Sequence, residues 1–163
     1  MLPKIRPCLW FDKNGEEAAR FYSETFPDTH IERVDRAPDD YPAGKKGDAL
    51  VIEMTILGMP FMLLNGGPQF KFDEAVSFSV ATDDQEETDR YWNAITSNGG
   101  QESDCGWCKD RFGLSWQITP RRLIQLMSEG GERYQRAFQA MMTMRKIDIA
   151  KLEAAVAGAP ADA

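Results

Sequence analysis

Along residues 114–119 apolar and polar side chains alternate. On a strand, Leu114, Trp116 and Ile118 point one way, and Ser115, Gln117 and Thr119 the other. Further strands are predicted at His30–Ala37, Asp48–Leu57, Met59–Asn65 and Gln101–Lys109, and two more, over 5–12 and 74–83, each end in Asp. Between them the period lengthens to that of a helix. Asn14 to Phe26 gathers Ala18, Phe21, Tyr22, Thr25 and Phe26 on one face, and Asp84 to Ser97 gathers Thr88, Tyr91, Trp92 and Ile95. Asn14 followed by Glu17 reads as a capping box, and Pro27-Asp28 stops that helix. Asn98-Gly99-Gly100 ends the second, and tight turns fall at Leu57-Gly58 and Phe112-Gly113.

This order repeats. Asp12 precedes Phe21 by the same nine positions that separate Asp83 from Trp92. The prediction is an α+β fold of two β-α-β-β-β modules, about residues 1–68 and 69–120, in one domain over 1–120. A module of roughly 60 residues closes a poor core alone. Each sheet is expected to bury one face under its helix, and the two remaining concave faces to pair into a barrel-like cleft. Beyond Pro120 the pattern turns helical, giving a C-terminal extension over 121–163. Helices are expected at Arg121–Ser128, at Glu132–Met144 (Tyr134, Phe138, Met141 and Met142 at helical spacing) and at Ile149–Val156 behind an Asp148 cap. Met141, Met142 and Met144 read as an interface or core lid. Arg36–Gly47 reads as a mobile loop able to cover a cleft, and Asn65-Gly66-Gly67-Pro68 with the following Gln69-Phe70-Lys71-Phe72 as the linker between modules.

A 42% apolar content suffices for a real core, and a net charge of −7 argues against nucleic acid or an anionic membrane surface as partner. No apolar run matches a signal peptide or a membrane span, so a cytoplasmic location is expected. Three cysteines, an odd number, argue against a complete disulfide framework.

Three stretches carry a family resemblance: Leu9-Trp-Phe-Asp…Glu-Glu-Ala18-Ala…Phe-Tyr22; Met62-Leu-Leu-Asn-Gly-Gly-Pro68; and Cys105-Gly-Trp…Asp-Arg-Phe-Gly-Leu-Ser-Trp-Gln-Ile-Thr-Pro120. The chain resembles the PhnB-like branch, labelled 3-demethylubiquinone-9 3-methyltransferase, of the glyoxalase/bleomycin-resistance/dioxygenase (vicinal oxygen chelate) superfamily. The tail from Ala140 to Glu153 is similar to that branch too. The resemblance implies paired β-α-β-β-β modules and a homodimer. It does not imply a methyltransferase fold, and the chain has no Gly-rich loop at a strand-to-helix junction.

The superfamily's enzymes hold a divalent metal with His and Glu. Those positions fall here near Arg6, near Met62 or Leu63, near Ala75 and on Gln117, none of them a good ligand, so no metal and no cofactor are expected. The single histidine, His30, reads as a surface residue, and Glu53 as a polar or dimer-facing sheet position. Cys105-Gly-Trp-Cys108 lies in a strand or hairpin without the following helix that would activate a thiol.

The cleft lining is then expected to contain Arg6, Cys8, Trp10, Ser77, Ser79, Ser115, Gln117 and Thr119, with Asn65 and Trp107 closing its ends. Such a lining suits a small, flat, polar or anionic molecule held without metal. Two other readings stand beside it. One is an enzyme of the lyase, transferase or dioxygenase-like kinds, using Arg6, Gln117 and Cys8. The other is a structural or interaction dimer whose cleft is filled, with Glu53 pairing Arg6.

Overall fold

One helix lies against one face of a four-stranded sheet in each half of the chain, and the strand order is the same in both. The computed structural model describes residues 3–159. They divide into two units, Met1–Phe72 and Asp73–Ala163, so the boundary lies at the end of the 65–72 linker and the extension belongs to the second unit.

The first unit contains β1 (Cys8–Phe11), α1 (Gly15–Thr25), β2 (His30–Arg36), β3 (Ala49–Ile56) and β4 (Met59–Asn65). Its sheet runs β1-β4-β3-β2, with β1 parallel to β4 and the other pairs antiparallel. Leu57 (φ 49°) and Gly58 (φ 77°) form the expected turn between β3 and β4. Leu9, Phe11, Ile52, Met54, Phe61 and Leu63 alternate onto the buried face, where Ala18, Ala19 and Tyr22 of α1 are also buried.

The second unit contains β5 (Ser77–Thr82), α2 (Gln85–Thr96), β6 (Gln101–Glu102), β7 (Trp107–Lys109), β8 (Ser115–Pro120), α3 (Arg121–Glu129), α4 (Gly131–Met141) and α5 (Ile149–Val156). The sheet order β5-β8-β7-β6 again joins the first and last strands in parallel. Both sheets are open, and the expected pair of modules is present with its helical extension. Trp116, Ile118, Val80 and Cys108 face α2, whose Thr88, Tyr91, Trp92 and Ile95 are buried as the periodicity predicted. The extension has its own small core of Leu123, Leu126, Ala137, Met144, Ile147, Leu152 and Val156.

Several local expectations are corrected. The strand expected over Gln101–Lys109 is two strands, reversed through Asp104, Cys105 (φ 58°) and Gly106 (φ 84°), with Ser103 N–H bonded to Trp107 O. Asn14 makes no side-chain cap. Asn65 on β4 does so instead, its Oδ1 accepting from Gly15 N at 2.9 Å while its Nδ2 donates to Ala49 O at 2.8 Å. A Cβ on Gly15 would stand 2.7 Å from that Oδ1, which explains glycine at the helix start.

The internal repeat is also offset by one residue. Lys13, at φ 66°, adds a position before the cap, so counting from the caps Asn14 and Asp84 it is Tyr22, not Phe21, that matches Trp92. Tyr22 is accordingly buried, and Phe21 is half-exposed. In the extension α4 ends at Met141, and Ala137 is its buried residue. Phe138 lies at 42% exposure against Tyr134, because the α4 face turned to the core is small.

Candidate functional site

The open face of each sheet, opposite its helix, holds most of the expected site residues. On the first sheet Cys8, Met62, Glu53 and Arg33 stand opposite one another across β1, β4, β3 and β2. Just before β1, Arg6 reaches into this row, and its Nη2 meets Glu53 Oε1 at 3.1 Å. Arg33 shares that carboxylate at 3.2 Å and also pairs with Asp35. Arg6 and Glu53 border a cavity of about 400 Å³ lined by Pro3, Glu32, Thr55 and Pro60 among others. Two arginines and two carboxylates therefore neutralise one another along this face.

Trp10, one row further, is covered by the linker. Its indole N–H donates to Gly67 O at 2.8 Å, and its ring meets Phe70 edge-on at 4.9 Å. A Cβ on Gly66 would stand 2.4 Å from that ring, so the glycine is what allows the linker to lie on it. Asn65 is on the helix side, 3% exposed and engaged by α1 as described. Cys8 is exposed as a residue, but its thiol is partly shielded from water, which raises the pKa against the opposing pull of Arg6.

The second sheet presents two rows. In one, Ser77 and Ser115 stand opposite each other and Ser115 opposite Lys109. In the next, Ser79 stands opposite Gln117 and Gln117 opposite Trp107. Gln117 Nε2 donates to Ser77 Oγ at 2.9 Å, which fixes the amide across the rows. Ser115 Oγ is buried and has no hydrogen-bond partner among the described residues. Lys109 forms an ion pair with Glu74.

Ser79, Trp107, Gln117 and Thr119 meet at one cavity of about 550 Å³. The opposite wall is the extension: Leu123, Ile124, Met127 and Ser128 from α3 and Met141 from α4, with Cys105 at the β6–β7 turn. No charged side chain lines it. The structure thus brings together four of the expected residues, Ser79, Trp107, Gln117 and Thr119, and keeps Arg6, Cys8, Trp10 and Asn65 in the first unit. The wall of α3 was not anticipated. Its apolar spacing at 123, 124, 126 and 127 predicts a helix, but periodicity does not say which surface a helix covers.

The Asp-Arg-Phe-Gly-Leu-Ser-Trp run has a structural role. Asp110, 2% exposed, accepts hydrogen bonds from Phe112 N at 2.9 Å, Leu114 N at 3.1 Å and the Trp116 indole at 2.9 Å. It braces the turn that leads into β8 and so sets the strand carrying Gln117. Cys108 faces the core, and burial, with Asp110 and Glu102 nearby, pushes its thiol up to about 12. His30 lies on the surface beside Glu32 at 2.7 Å.

The profile of the 3-demethylubiquinone-9 3-methyltransferase family matches residues 3–119. The chain belongs to that family. Among solved structures, a PhnB protein from Bacillus cereus that bears the same methyltransferase name is 28% identical to this family member. The likeness covers 72% of this chain and 99% of that one, with a TM-score of 0.65. Protein PA1353 from Pseudomonas aeruginosa shares the fold at 21% identity, over 73% and 98% of the two chains and with a TM-score of 0.60. No curated protein matches. This PhnB-like chain has the glyoxalase fold. The family match ends before α3, so half of the cavity wall is built from residues outside it.

The divalent metal implied for the superfamily does not fit the side chains present. Arg6 is paired to Glu53, Met62 offers a thioether and Leu63 lies on the helix side. Ala75 precedes β5 and offers only a methyl group, and Gln117 is a neutral amide held by Ser77.

Proposed function

We propose that this protein binds a small, uncharged, partly apolar molecule, without metal, against the open face of its second sheet. The observation that carries the reading is the 550 Å³ cavity, in which Gln117, Ser79 and Thr119 offer an amide and two hydroxyls beside the Trp107 ring and the α3 wall. An apolar wall with a few convergent polar groups is the usual makeup of a small-molecule site. Ser115, one row along the same sheet face, adds a buried hydroxyl with an unmet hydrogen bond. The Arg6 charge is compensated by Glu53, which favours a polar over an anionic ligand and a structural role for the first sheet's row. We extend the reading to a cytoplasmic homodimer. The free thiols of Cys8, Cys105 and Cys108 suit a reducing compartment, and Ile5, Phe70 and Val76 expose apolar surface.

The test is a thermal-shift screen of neutral heteroaromatic amides and lactones. A ligand-dependent rise in melting temperature is expected, together with quenching of tryptophan fluorescence. Trp107→Ala and Gln117→Leu should each lower affinity for the hits, and Arg6→Gln should not. Hits whose binding survives both cavity substitutions, or a screen with no hits, would overturn the reading. Sedimentation of the same sample checks the dimer.

A further inference from the structure

The polar groups of the second unit's cavity differ in what they can accept and donate. Gln117 stands opposite Ser79 on β5 and opposite Trp107 on β7, so hydroxyl, amide and indole share one row across the sheet. A side-chain amide has two N–H donors and an acceptor oxygen. Gln117 spends one donor on Ser77 Oγ at 2.9 Å, and Ser77 lies in the next row, outside the cavity lining. Among the described residues that bond leaves the amide oxygen without a protein donor, and the Trp107 indole N–H has no protein acceptor. Neither group is sealed off, because Ser115 Oγ is the one fully buried side-chain nitrogen or oxygen without a partner among the described residues. The row thus offers a fixed acceptor, the Gln117 oxygen, together with the second amide N–H and the indole N–H as donors. Ser79 and Thr119 serve in either sense. A matching ligand carries an N–H beside a carbonyl. Its N–H donates to Gln117 Oε1, and its carbonyl accepts from the amide or the indole. A lactone sets a second acceptor against Oε1 instead, and both go unmet. Leu123, Ile124 and Met127 of α3 give apolar cover to the ring that holds these groups.

We propose that the cavity selects flat rings bearing a secondary lactam over lactones and N-alkyl lactams of the same shape, and that Ser77 sets this preference by holding the Gln117 amide. The inference rests on the small-molecule reading above and names its ligand class. Ser77 is a positioning residue: it lies outside the lining and acts by fixing which end of the amide faces the cavity. In the reverse orientation the amide oxygen would accept from the Ser77 hydroxyl, and the cavity would meet two N–H donors, which favour a lactone carbonyl. No charged side chain lines the cavity, so the lactam binds in its neutral form.

The test compares carbostyril (a fused-ring lactam), its N-methyl derivative and coumarin, the lactone of the same outline, by calorimetry on the full chain. Carbostyril should bind about tenfold or more tighter than either of the others. Ser77→Ala should cut that ratio to about threefold or less, by weakening carbostyril while coumarin affinity is retained, which also shows that the variant is folded. Ser77→Thr keeps a hydroxyl on the strand and should preserve the ratio. Equal affinity for the three compounds in the unaltered protein, or a preference for coumarin, overturns the inference and leaves the small-molecule reading standing. An undiminished ratio in Ser77→Ala overturns the role of Ser77. Binding of none of the three also overturns the inference, and hits from the wider screen would then show that the cavity binds through other contacts.

Discussion

Replacing Asp110 tests whether the most distinctive run in this sequence is kept for structure. The side chain is 2% exposed and serves two backbone N–H groups and the Trp116 indole. A hydrogen bond to a charged group contributes about 1.5–3 kcal/mol, and a buried donor left unmet costs about 1–3 kcal/mol. These are two views of one loss and do not add. Leu114 and Trp116, 2% and 1% exposed, lose an acceptor that water cannot readily replace, whereas Phe112 is half-exposed. Asp110→Ala should therefore cost about 4 kcal/mol. Asp110→Asn keeps an oxygen for the backbone but turns an amide N–H₂ toward the indole, for about 2 kcal/mol. At about 2–4 °C per kcal/mol for a chain of this size, melting should fall by about 8–16 °C and 4–8 °C respectively. Thermal and urea unfolding followed by tryptophan fluorescence reads both values. An Asp110→Ala protein within about 1 kcal/mol of the parent would refute the brace, and the run would need a reason at the site itself.

Asn65→Ala should cost about 2 kcal/mol, with faster hydrogen exchange at Gly15, because the helix start and Ala49 O lose their partner together. Cysteine labelling at pH 8 should proceed at Cys105 and Cys8 and spare Cys108, whose thiol, pushed up to about 12, is ionised to about one part in 10⁴. A raised thiol pKa leaves stability full below the ordinary value of 9.0 and erodes it as pH rises from there toward 12. Unfolding measured between pH 8 and 11 should show that decline, reduced in Cys108→Ala. Glu53→Gln should cost about 1–2 kcal/mol, less than a fully buried pair. It should also make low-millimolar sulfate more stabilising on melting than it is in the parent, because Arg6 loses its carboxylate.

Much of the fold was legible because both periods are strong. The face of α2 was predicted residue by residue, and α5 with its Asp148 cap falls at the expected place. The failures have local causes. Asn14 and Glu17 have the spacing of a capping box, but the cap comes from Asn65, a residue fifty positions away that no short-range rule can find. The Gln101–Lys109 run looks continuous because a two-residue reversal at Cys105-Gly106 carries only one glycine to mark it. For the candidate site, the alternation of β8 identified Gln117 and Thr119, and β5 and β7 supplied Ser79 and Trp107. The charge compensation of Arg6 was foreseen as an alternative. What periodicity did not reveal was the destination of α3, which depends on tertiary packing.

The docking of Met144 and Arg145 onto the β6–β7 turn has a consequence for synthesis. The first unit has all its strands once residue 65 has emerged, so it can fold while the ribosome is still elongating. The second unit differs. Its turn at Cys105 and Gly106 waits for the carbonyls of Met144 and Arg145, and Gln85 at the start of α2 waits for Ile147 and Ile149. Its sheet is therefore translated well before the segment that secures it. During that interval Leu123 and Leu126 of α3 lack Met144, Ile147 and Leu152, the later residues that complete their core.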